Sequence, residues 1–283
     1  MWVIRVKKQI CPKTKRRSMK RRIARVMLLC SLILLSVSGY FLADMFLQER
    51  KDDMLQDQLK EIYEDSRNRE AEETLERTGG ERDRDGGSAS PPVHPGLFAL
   101  HRENPDCIGW ITIEDTVIDY PVMYRPSEEN YYLHRDFYGE YSANGCLFLS
   151  ELCNPKESDN LIIYGHHMNS GKMFAALDQY KDSGFYQEHP LISYDTLQGS
   201  ETYQIFAVFC TPVYTGNDFP YYIFTKAEDA ADYQGYIKAV KERSLYDTGI
   251  LAVFGDKLLT LSTCEYSQRN GRVVVVAKKI NRQ

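Results

Sequence analysis

The sequence lacks the short patterns that hold metals, nucleotides or organic cofactors. Its seven cysteines form no C-x-x-C pair, and His166 and His167 are adjacent rather than spaced i, i+4 on one helix face. It contains no glycine-rich phosphate-binding loop and no visible internal repeat. We therefore expect no metal and no organic cofactor.

Composition excludes further classes of protein. With 283 residues, 43% of them hydrophobic and 27% charged, the chain is not a collagen, a short disulfide scaffold or a wholly disordered protein. Acidic residues are missing from residues 1–25, which carry eleven lysines and arginines although the formal net charge of the chain is −5. The average charge therefore hides a steep gradient at the N-terminus.

A long uncharged run follows this basic segment. Residues 26–43 would span roughly 27 Å as a helix, close to the thickness of a bilayer's hydrocarbon core. Basic residues that flank a membrane-spanning helix usually remain on the cytoplasmic side, so we predict a cytoplasmic tail over 1–25, a membrane anchor over 26–46 and an extracellular remainder. The apolar run that follows the basic segment favours a membrane over nucleic acid as its partner, and we expect no nucleic-acid partner. A cleaved signal peptide ending near Ser36–Ser38 is the alternative, and either interpretation exports the rest of the chain.

Residues 47–95 are rich in charge and poor in apolar side chains, which predicts a solvated helical stalk ending in a Gly/Pro linker. Residues 96–283 form the predicted globular domain. In it, seven or eight short β-branched and aromatic runs indicate a mainly β barrel or sandwich. Helical spacing adds two predicted helices, over 172–180 and 226–243.

The number of cysteines beyond the apolar run is odd, so at least one thiol there is unpaired within the chain. These five are Cys107, Cys146, Cys153, Cys210 and Cys264. A Cys146–Cys153 bridge is one open pairing. A free thiol outside the cell requires an explanation such as burial or catalysis.

Cys264 has the sequence context of a nucleophile. It ends the apolar run T-L-S-T-C, a polar turn follows, and Arg272 opens the next strand. Two antiparallel strands joined by this turn would bring the thiol beside a guanidinium, which suits a nucleophile with an oxyanion stabiliser. His166 follows the strand N-L-I-I-Y-G and supplies an imidazole that exchanges protons near neutral pH.

Together these motifs resemble the class B sortases. The resemblance rests on T-L-S-T-C with Arg eight residues later, on Y-G-H-H-M-N-S-G-K-M-F, on G-W-I-T-I-E-D-T-V-I-D-Y-P-V-M and on Y-Y-L-H-R-D-F, and it covers residues 96–280. It implies a closed eight-stranded β-barrel with flanking helices and a helix inserted between late strands. It also implies an extracytoplasmic cysteine transpeptidase of Gram-positive bacteria.

Carried over by position, the resemblance makes Cys264 the nucleophile, His166 the general acid/base and Arg272 the oxyanion-holding residue. The substrate would be the C-terminal sorting-signal peptide of a secreted protein. The acceptor would be an amine of a lipid II-like peptidoglycan precursor or of a pilin lysine. Residues suggested for substrate binding are Leu133, Tyr222, Ile223, Ser262 and Glu265. Tyr266 stands where some relatives carry an acid, so we assign no carboxylate to the set.

Several alternatives stay open at this point. His167 competes with His166, and Arg269 competes with Arg272. An extracytoplasmic cysteine protease is one rival function, although Cys264 follows the histidine and lacks the flanking residues of papain-like or chymotrypsin-like nucleophiles. A membrane-tethered binding module with an inert Cys264 is the other.

Overall fold

The computed structural model describes residues 13–78, 95–213, 216, 219–265 and 270–280; the side chains of 13–22, 66–78 and 265 are not part of that description. The predicted linker at 79–94 and most of the basic tail's side chains therefore lie outside the described residues. The chain divides into two units, Met1–Lys51 and Asp52–Gln283.

The described residues of the first unit belong to helix α1 (Lys13–Thr78). Among the described residues, one helical stretch is long and apolar enough to cross a bilayer, and it is the part of α1 from Ile23 to Asp65. Its most apolar window has a mean hydropathy of 2.3 and is wholly exposed. By length and composition it agrees with the predicted membrane anchor.

The second unit is built around a closed barrel of eight strands in the order β1-β2-β3-β4-β7-β8-β6-β5. The strands are β1 (Cys107–Thr112), β2 (Asp119–Met123), β3 (Leu147–Leu149), β4 (Asn160–Tyr164), β5 (Leu191–Thr196), β6 (Gly199–Pro212), β7 (Leu258–Glu265) and β8 (Gly271–Ile280). The helices are α2 (Pro95–Glu103), α3 (Ser183–Glu188) and α4 (Ala230–Arg243). The predicted mainly β barrel is thereby confirmed.

Strand β8 shows why its sequence is apolar without alternation. Val273 and Val275 face the core that includes Ile163 and Leu261, whereas Val274 and Val276 face a second cluster under α4. Successive side chains of a strand point to opposite faces, so a strand covered on both faces needs apolar residues at every position. The outer face of the barrel at β7 and β8 is therefore partly covered.

The inserted helix is present, with a shorter N-terminal end than predicted. Helix α4 begins at Ala230 because the Asp229 carboxylate accepts hydrogen bonds from the amides of Ala231 (2.8 Å) and Asp232 (2.9 Å). The segment predicted as a helix over 172–180 is instead a 3₁₀-helix, Phe174–Lys181.

The segment predicted as a solvated stalk differs from expectation between Asp52 and Asp65. Leu59 and Tyr63 are buried, and the Tyr63 ring stacks on Trp110 with 4.3 Å between centroids. Gly96 permits this approach, since a Cβ there would lie 1.9 Å from the Tyr63 carbonyl oxygen. The charged average composition of this segment conceals apolar residues that recur at helical spacing. That spacing places them on one face of the helix, and this face is the one that becomes buried.

Candidate active site

Cys264 and Arg272 lie opposite each other on neighbouring strands. The antiparallel register of β7 and β8 pairs their Cα positions, and Arg272 also pairs with Thr211 of β6. Opposed residues of antiparallel strands place their side chains on the same face. Both side chains are partly exposed. The predicted hairpin pairing is thus present; the turn with Tyr266 and Arg269 lies outside the described residues.

The nucleophile candidate lies on the outer face of the barrel. Thr263 points the other way, and its hydroxyl donates to the Gly165 carbonyl (2.8 Å). Ser262, which shares a face with Cys264 because side chains alternate along a strand, contacts Tyr221 of the outer cluster. The strand end therefore presents the Cys264 thiol on the side covered by the segment that precedes α4.

His166 reaches this place through a parallel strand pair. The register of β4 and β7 pairs Tyr164 with Ser262, so β4 ends toward the end of β7 that carries Cys264. His167, the residue after His166, contacts the Cys264 carbonyl. Gly165 is required between them, because a Cβ there would lie 2.3 Å from Leu147 Cδ2 and 2.8 Å from Phe174 Cδ2. The main-chain amide of Phe174 donates to the His166 carbonyl (2.9 Å) and fixes the following turn.

The imidazole of His166 is oriented by a main-chain carbonyl. Its Nε2 lies 2.7 Å from the Leu133 carbonyl oxygen. A carbonyl only accepts, so Nε2 carries the proton and Nδ1 is the nitrogen left for exchange with a reacting group. This contact, rather than a carboxylate, sets the tautomer.

Burial lowers the pKa of His166 from its ordinary value of 6.5. The hydrogen bond to Leu133 opposes that shift, whereas the neighbouring charge of His134 adds to it. The two histidine rings lie 5.2 Å apart at an interplanar angle of 27°. The site therefore favours the neutral imidazole in the free enzyme.

The competing histidine occupies a different position. His167 Nδ1 lies 3.2 Å from the Cys264 carbonyl oxygen, so it ties its loop to the main chain of β7. An isolated bridge between His167 and Met173 closes that loop. The geometry makes His167 a main-chain tether of the nucleophile strand.

The suggested substrate-binding residues fall into three groups. Leu133 is half-buried beside His166, while Tyr222 and Ile223 lie on the 3₁₀-helix Tyr221–Ile223, with Ile223 59% exposed. Ser262 is only 1% exposed and bonds to Tyr221, so its side chain is covered, contrary to expectation for a substrate contact. The main chain of Glu265 pairs with Gly271, and its side chain lies outside the described part.

One residue near the site escaped the sequence analysis, Asn160, whereas Tyr221 is suggested by the sequence with Tyr222 and Ile223 as an aromatic contact of the peptide and is 1% exposed in the structure. Asn160 is fully buried at the start of β4 and donates from Nδ2 to the Phe224 carbonyl (2.9 Å). The sequence does contain an indication for Asn160, which is the polar residue that opens the apolar run L-I-I-Y. A polar side chain in that position is either exposed at the end of the strand or buried with a hydrogen-bond partner.

The other four cysteines of the barrel unit, all of them described residues, are not in disulfide bonds. Cys146 and Cys153 are therefore not joined to each other. Burial raises the pKa of Cys107 and of Cys153 to about 12 each, and the Cys153 sulfur accepts from the Ile162 amide (3.4 Å). Within the described residues, no group of three His, Cys, Asp or Glu side chains is arranged to hold a metal. Cys264 is thus set apart by its neighbours, because Arg272 pairs with it across β7 and β8 and His167 contacts its carbonyl.

Comparison with known proteins agrees with this geometry. Residues 111–280 match the family model "Sortase domain". Sortase B of Listeria monocytogenes is 37% identical over 194 residues, covering 67% of this chain and 76% of the relative. The Staphylococcus aureus sortase B–substrate complex superposes with a TM-score of 0.67 at 28% identity, covering 83% of this chain and 99% of that one. A sortase B complexed with triglycine gives a TM-score of 0.66 at 28% identity, covering 82% and 99%.

The family match spans more than half of the chain, the relatives are sortase B proteins, and the barrel is the one that those solved structures share. The chain therefore belongs to the sortase family and is a cysteine transpeptidase of the sortase B type, the group that attaches proteins to the cell wall.

Proposed function

We propose that this enzyme cleaves the C-terminal sorting signal of secreted proteins and joins the new carboxyl group to a glycine-type amine of a peptidoglycan precursor. Cys264 is the nucleophile, His166 the proton carrier and Arg272 the stabiliser of the oxyanion. The observation that supports the proposal is the register that pairs Cys264 with Arg272 on β7 and β8, together with the parallel pairing of β7 with β4, the strand that ends two residues before His166.

In the first half-reaction the Cys264 thiol passes its proton to Nδ1 of the neutral His166, and the sulfur attacks the carbonyl carbon of the scissile amide. The negative charge that develops on the carbonyl oxygen is met by the Arg272 guanidinium, whose Nη1 is oriented by a 2.9 Å hydrogen bond to the Gly271 carbonyl. The carbon–nitrogen bond then breaks as His166 gives a proton to the departing amine. Nδ1 transfers this proton, because the Nε2 proton is engaged with Leu133.

The second half-reaction reverses these roles. The acceptor amine attacks the thioester carbonyl, His166 takes its proton, and the thiolate leaves as the new amide forms. Transfer outcompetes hydrolysis where the amine is bound in better geometry than water. A sortase B complexed with triglycine supports a glycine-type acceptor, and a pilin lysine is the alternative acceptor to be tested.

The enzyme acts at the outer face of the cell membrane in this proposal. The basic tail over residues 1–25 stays in the cytoplasm, the apolar helix anchors the chain, and the barrel works outside. A membrane-impermeant amine-reactive label applied to intact cells should modify lysines of the barrel and spare those of the tail. Labelling of the tail alone would reverse the topology.

The reaction is tested with the full chain in detergent, a library of C-terminal peptides from the host's exported proteins, and triglycine as acceptor. We expect peptide–triglycine amide products that are absent with Cys264→Ala. Replacing triglycine with a lysine-containing pilin peptide compares the two acceptors. Product formed only as free acid at every amine concentration would assign the protein to hydrolysis as a cysteine protease.

A further inference from the structure

The segment Phe219–Thr225, here called the recognition wall, carries two of the suggested substrate-binding residues. Tyr222 is partly buried, and Ile223 exposes 59% of its surface although it is apolar and β-branched. Exposed apolar side chains are suited to contact with a peptide, and Tyr221 of the same segment contacts Ser262 on the strand that carries Cys264. What holds this wall in place therefore bears on how the peptide is selected.

One attachment of the wall is a pair of buried hydroxyls. The Tyr221 hydroxyl lies 2.6 Å from Ser262 Oγ, and each residue is only 1% exposed. Ser262 lies two residues before Cys264 on the same strand face. The wall is thus fastened directly to the strand that carries the nucleophile.

The second attachment is the side-chain amide of Asn160, which is fully buried. Its Nδ2 donates to the Phe224 carbonyl (2.9 Å), and its Oδ1 accepts from the Thr260 hydroxyl (2.8 Å). The Asn160 main-chain amide also donates to the Thr225 carbonyl (3.1 Å). Asn160 and Thr260 belong to β4 and β7, the strands that lead to His166 and Cys264.

Packing from α4 closes the arrangement. The Tyr236 ring stacks on Phe224 with 3.8 Å between centroids and an interplanar angle of 8°, and its hydroxyl lies 3.5 Å from Asn160 Nδ2. A buried polar network in which every member has a hydrogen-bond partner specifies one geometry. Any other arrangement of these side chains would leave a buried donor or acceptor without a partner and without access to water. The wall therefore has a defined position relative to the catalytic strands.

We propose that Tyr221 and Asn160 are positioning residues that hold the recognition wall in register with Cys264, and that Ser262 is the point of attachment for Tyr221 rather than a contact of the substrate. This inference rests on the proposed function, because the peptide is its substrate. The apparent affinity for that peptide is the intrinsic affinity multiplied by the fraction of molecules whose wall is in place, so it falls when that fraction falls. Loss of an attachment should therefore act on KM more than on kcat.

The test is a double-mutant cycle in the full chain, using Tyr221→Phe, Ser262→Ala and the combined variant. Each single change removes the hydrogen bond between the two buried hydroxyls, and we expect KM for the best-used library peptide to rise about threefold to tenfold with kcat changed less than twofold. Removing both hydroxyls together strands neither, so KM of the double variant should not exceed that of the worse single variant. Amide hydrogen exchange across 219–225 should accelerate in both single variants.

Tyr180→Phe is the matched control. Tyr180 is fully buried and donates one hydroxyl hydrogen bond, to the His189 carbonyl (2.8 Å), without touching the wall. It should leave KM and the exchange of 219–225 unchanged.

The inference is overturned if Tyr221→Phe alters neither KM nor exchange, or if the effects of Tyr221→Phe and Ser262→Ala multiply in the double variant. Independent effects would make Ser262 a direct substrate contact. Failure of the proposed function looks different, since wild-type enzyme would then give no amide product. The exchange measurement still decides whether these hydroxyls hold the wall.

Discussion

His166 and the recognition wall are held by different kinds of contact. The imidazole is oriented through the Leu133 carbonyl, and its own carbonyl is fixed by the Phe174 amide. The wall has main-chain bonds at Thr225, and its other attachments depend on the side chains of Tyr221, Ser262 and Asn160. Main-chain contacts survive most substitutions, whereas each side-chain contact is lost with one residue. Proton transfer should therefore be robust to mutation in this enzyme, and peptide recognition should be sensitive.

The largest effect is expected at Arg272, which belongs neither to the His166 contacts nor to the recognition wall. Its replacement therefore measures how much kcat falls when the oxyanion stabiliser is lost and both of those regions are intact. Arg272→Ala should lower kcat by roughly 10²–10³-fold, because one preorganised donor to the oxyanion is removed. The melting temperature should change little, since the side chain is partly exposed. Steady-state kinetics and thermal unfolding measure the two quantities.

Arg272→Lys is the matched variant for that prediction. We expect poor rescue, because an ammonium group cannot reproduce the planar fork of a guanidinium. Near-normal kcat in the lysine variant would show that charge alone suffices at this position.

A smaller but broader effect is expected at Asn160, and it sharpens the contrast between the two regions. Asn160→Ala strands the Thr260 hydroxyl and the Phe224 carbonyl, which should reduce the free energy of unfolding by about 2–4 kcal/mol. KM should rise as the wall loosens, while the pKa of His166 stays where it is. Denaturant unfolding and peptide kinetics test this. Destabilisation without any change in KM would separate Asn160 from recognition.

The contrast predicts a mild outcome at Leu133. Leu133→Ala keeps the carbonyl that binds His166 Nε2, so the pH at which His166 titrates should be that of the wild type. KM should rise about threefold if the leucine side chain contacts the peptide. NMR titration of labelled histidine gives the first quantity. A clear shift of the titration would mean that the side chain, and not the carbonyl, sets the environment of His166.

The smallest effect is expected at His134. In the wild type, burial and the charge of His134 lower the pKa of His166, so its titration midpoint should lie below 6.5. Between that midpoint and pH 6.5, His166 is then mostly neutral where a free histidine would be mostly charged. His134→Gln removes one of the two lowering causes and should move the midpoint upward, as seen by NMR. A downward movement would contradict the assigned direction.

Much of the barrel was predictable because its strands are apolar runs separated by turns, and β8 is predictable even without alternation. The burial of Leu59 and Tyr63 was not. These residues lie in a segment whose composition is that of a solvated helix, and only the partner surface around Trp110 explains why they are covered. Local composition carries no information about a distant partner.

Site prediction followed the same division. Cys264 and Arg272 are close in sequence, so antiparallel pairing of β7 with β8 sufficed to bring them together. The Leu133 carbonyl was out of reach because every residue has one, and its use depends on tertiary placement. The resemblance suggests Ser262 as a substrate contact, and neither that resemblance nor its position two residues before Cys264 indicates that its side chain is buried.

Trapping the acyl-enzyme tests the central claim most directly. Full-length enzyme incubated with its sorting peptide and no amine should carry the N-terminal part of that peptide on Cys264, through a bond that hydroxylamine cleaves. Peptide mapping by mass spectrometry should find this adduct in the wild type, should find it forming more slowly in Arg272→Lys, and should not find it in Cys264→Ala. Transfer of the peptide to triglycine by Cys264→Ala, or an adduct on any other residue, would contradict the account.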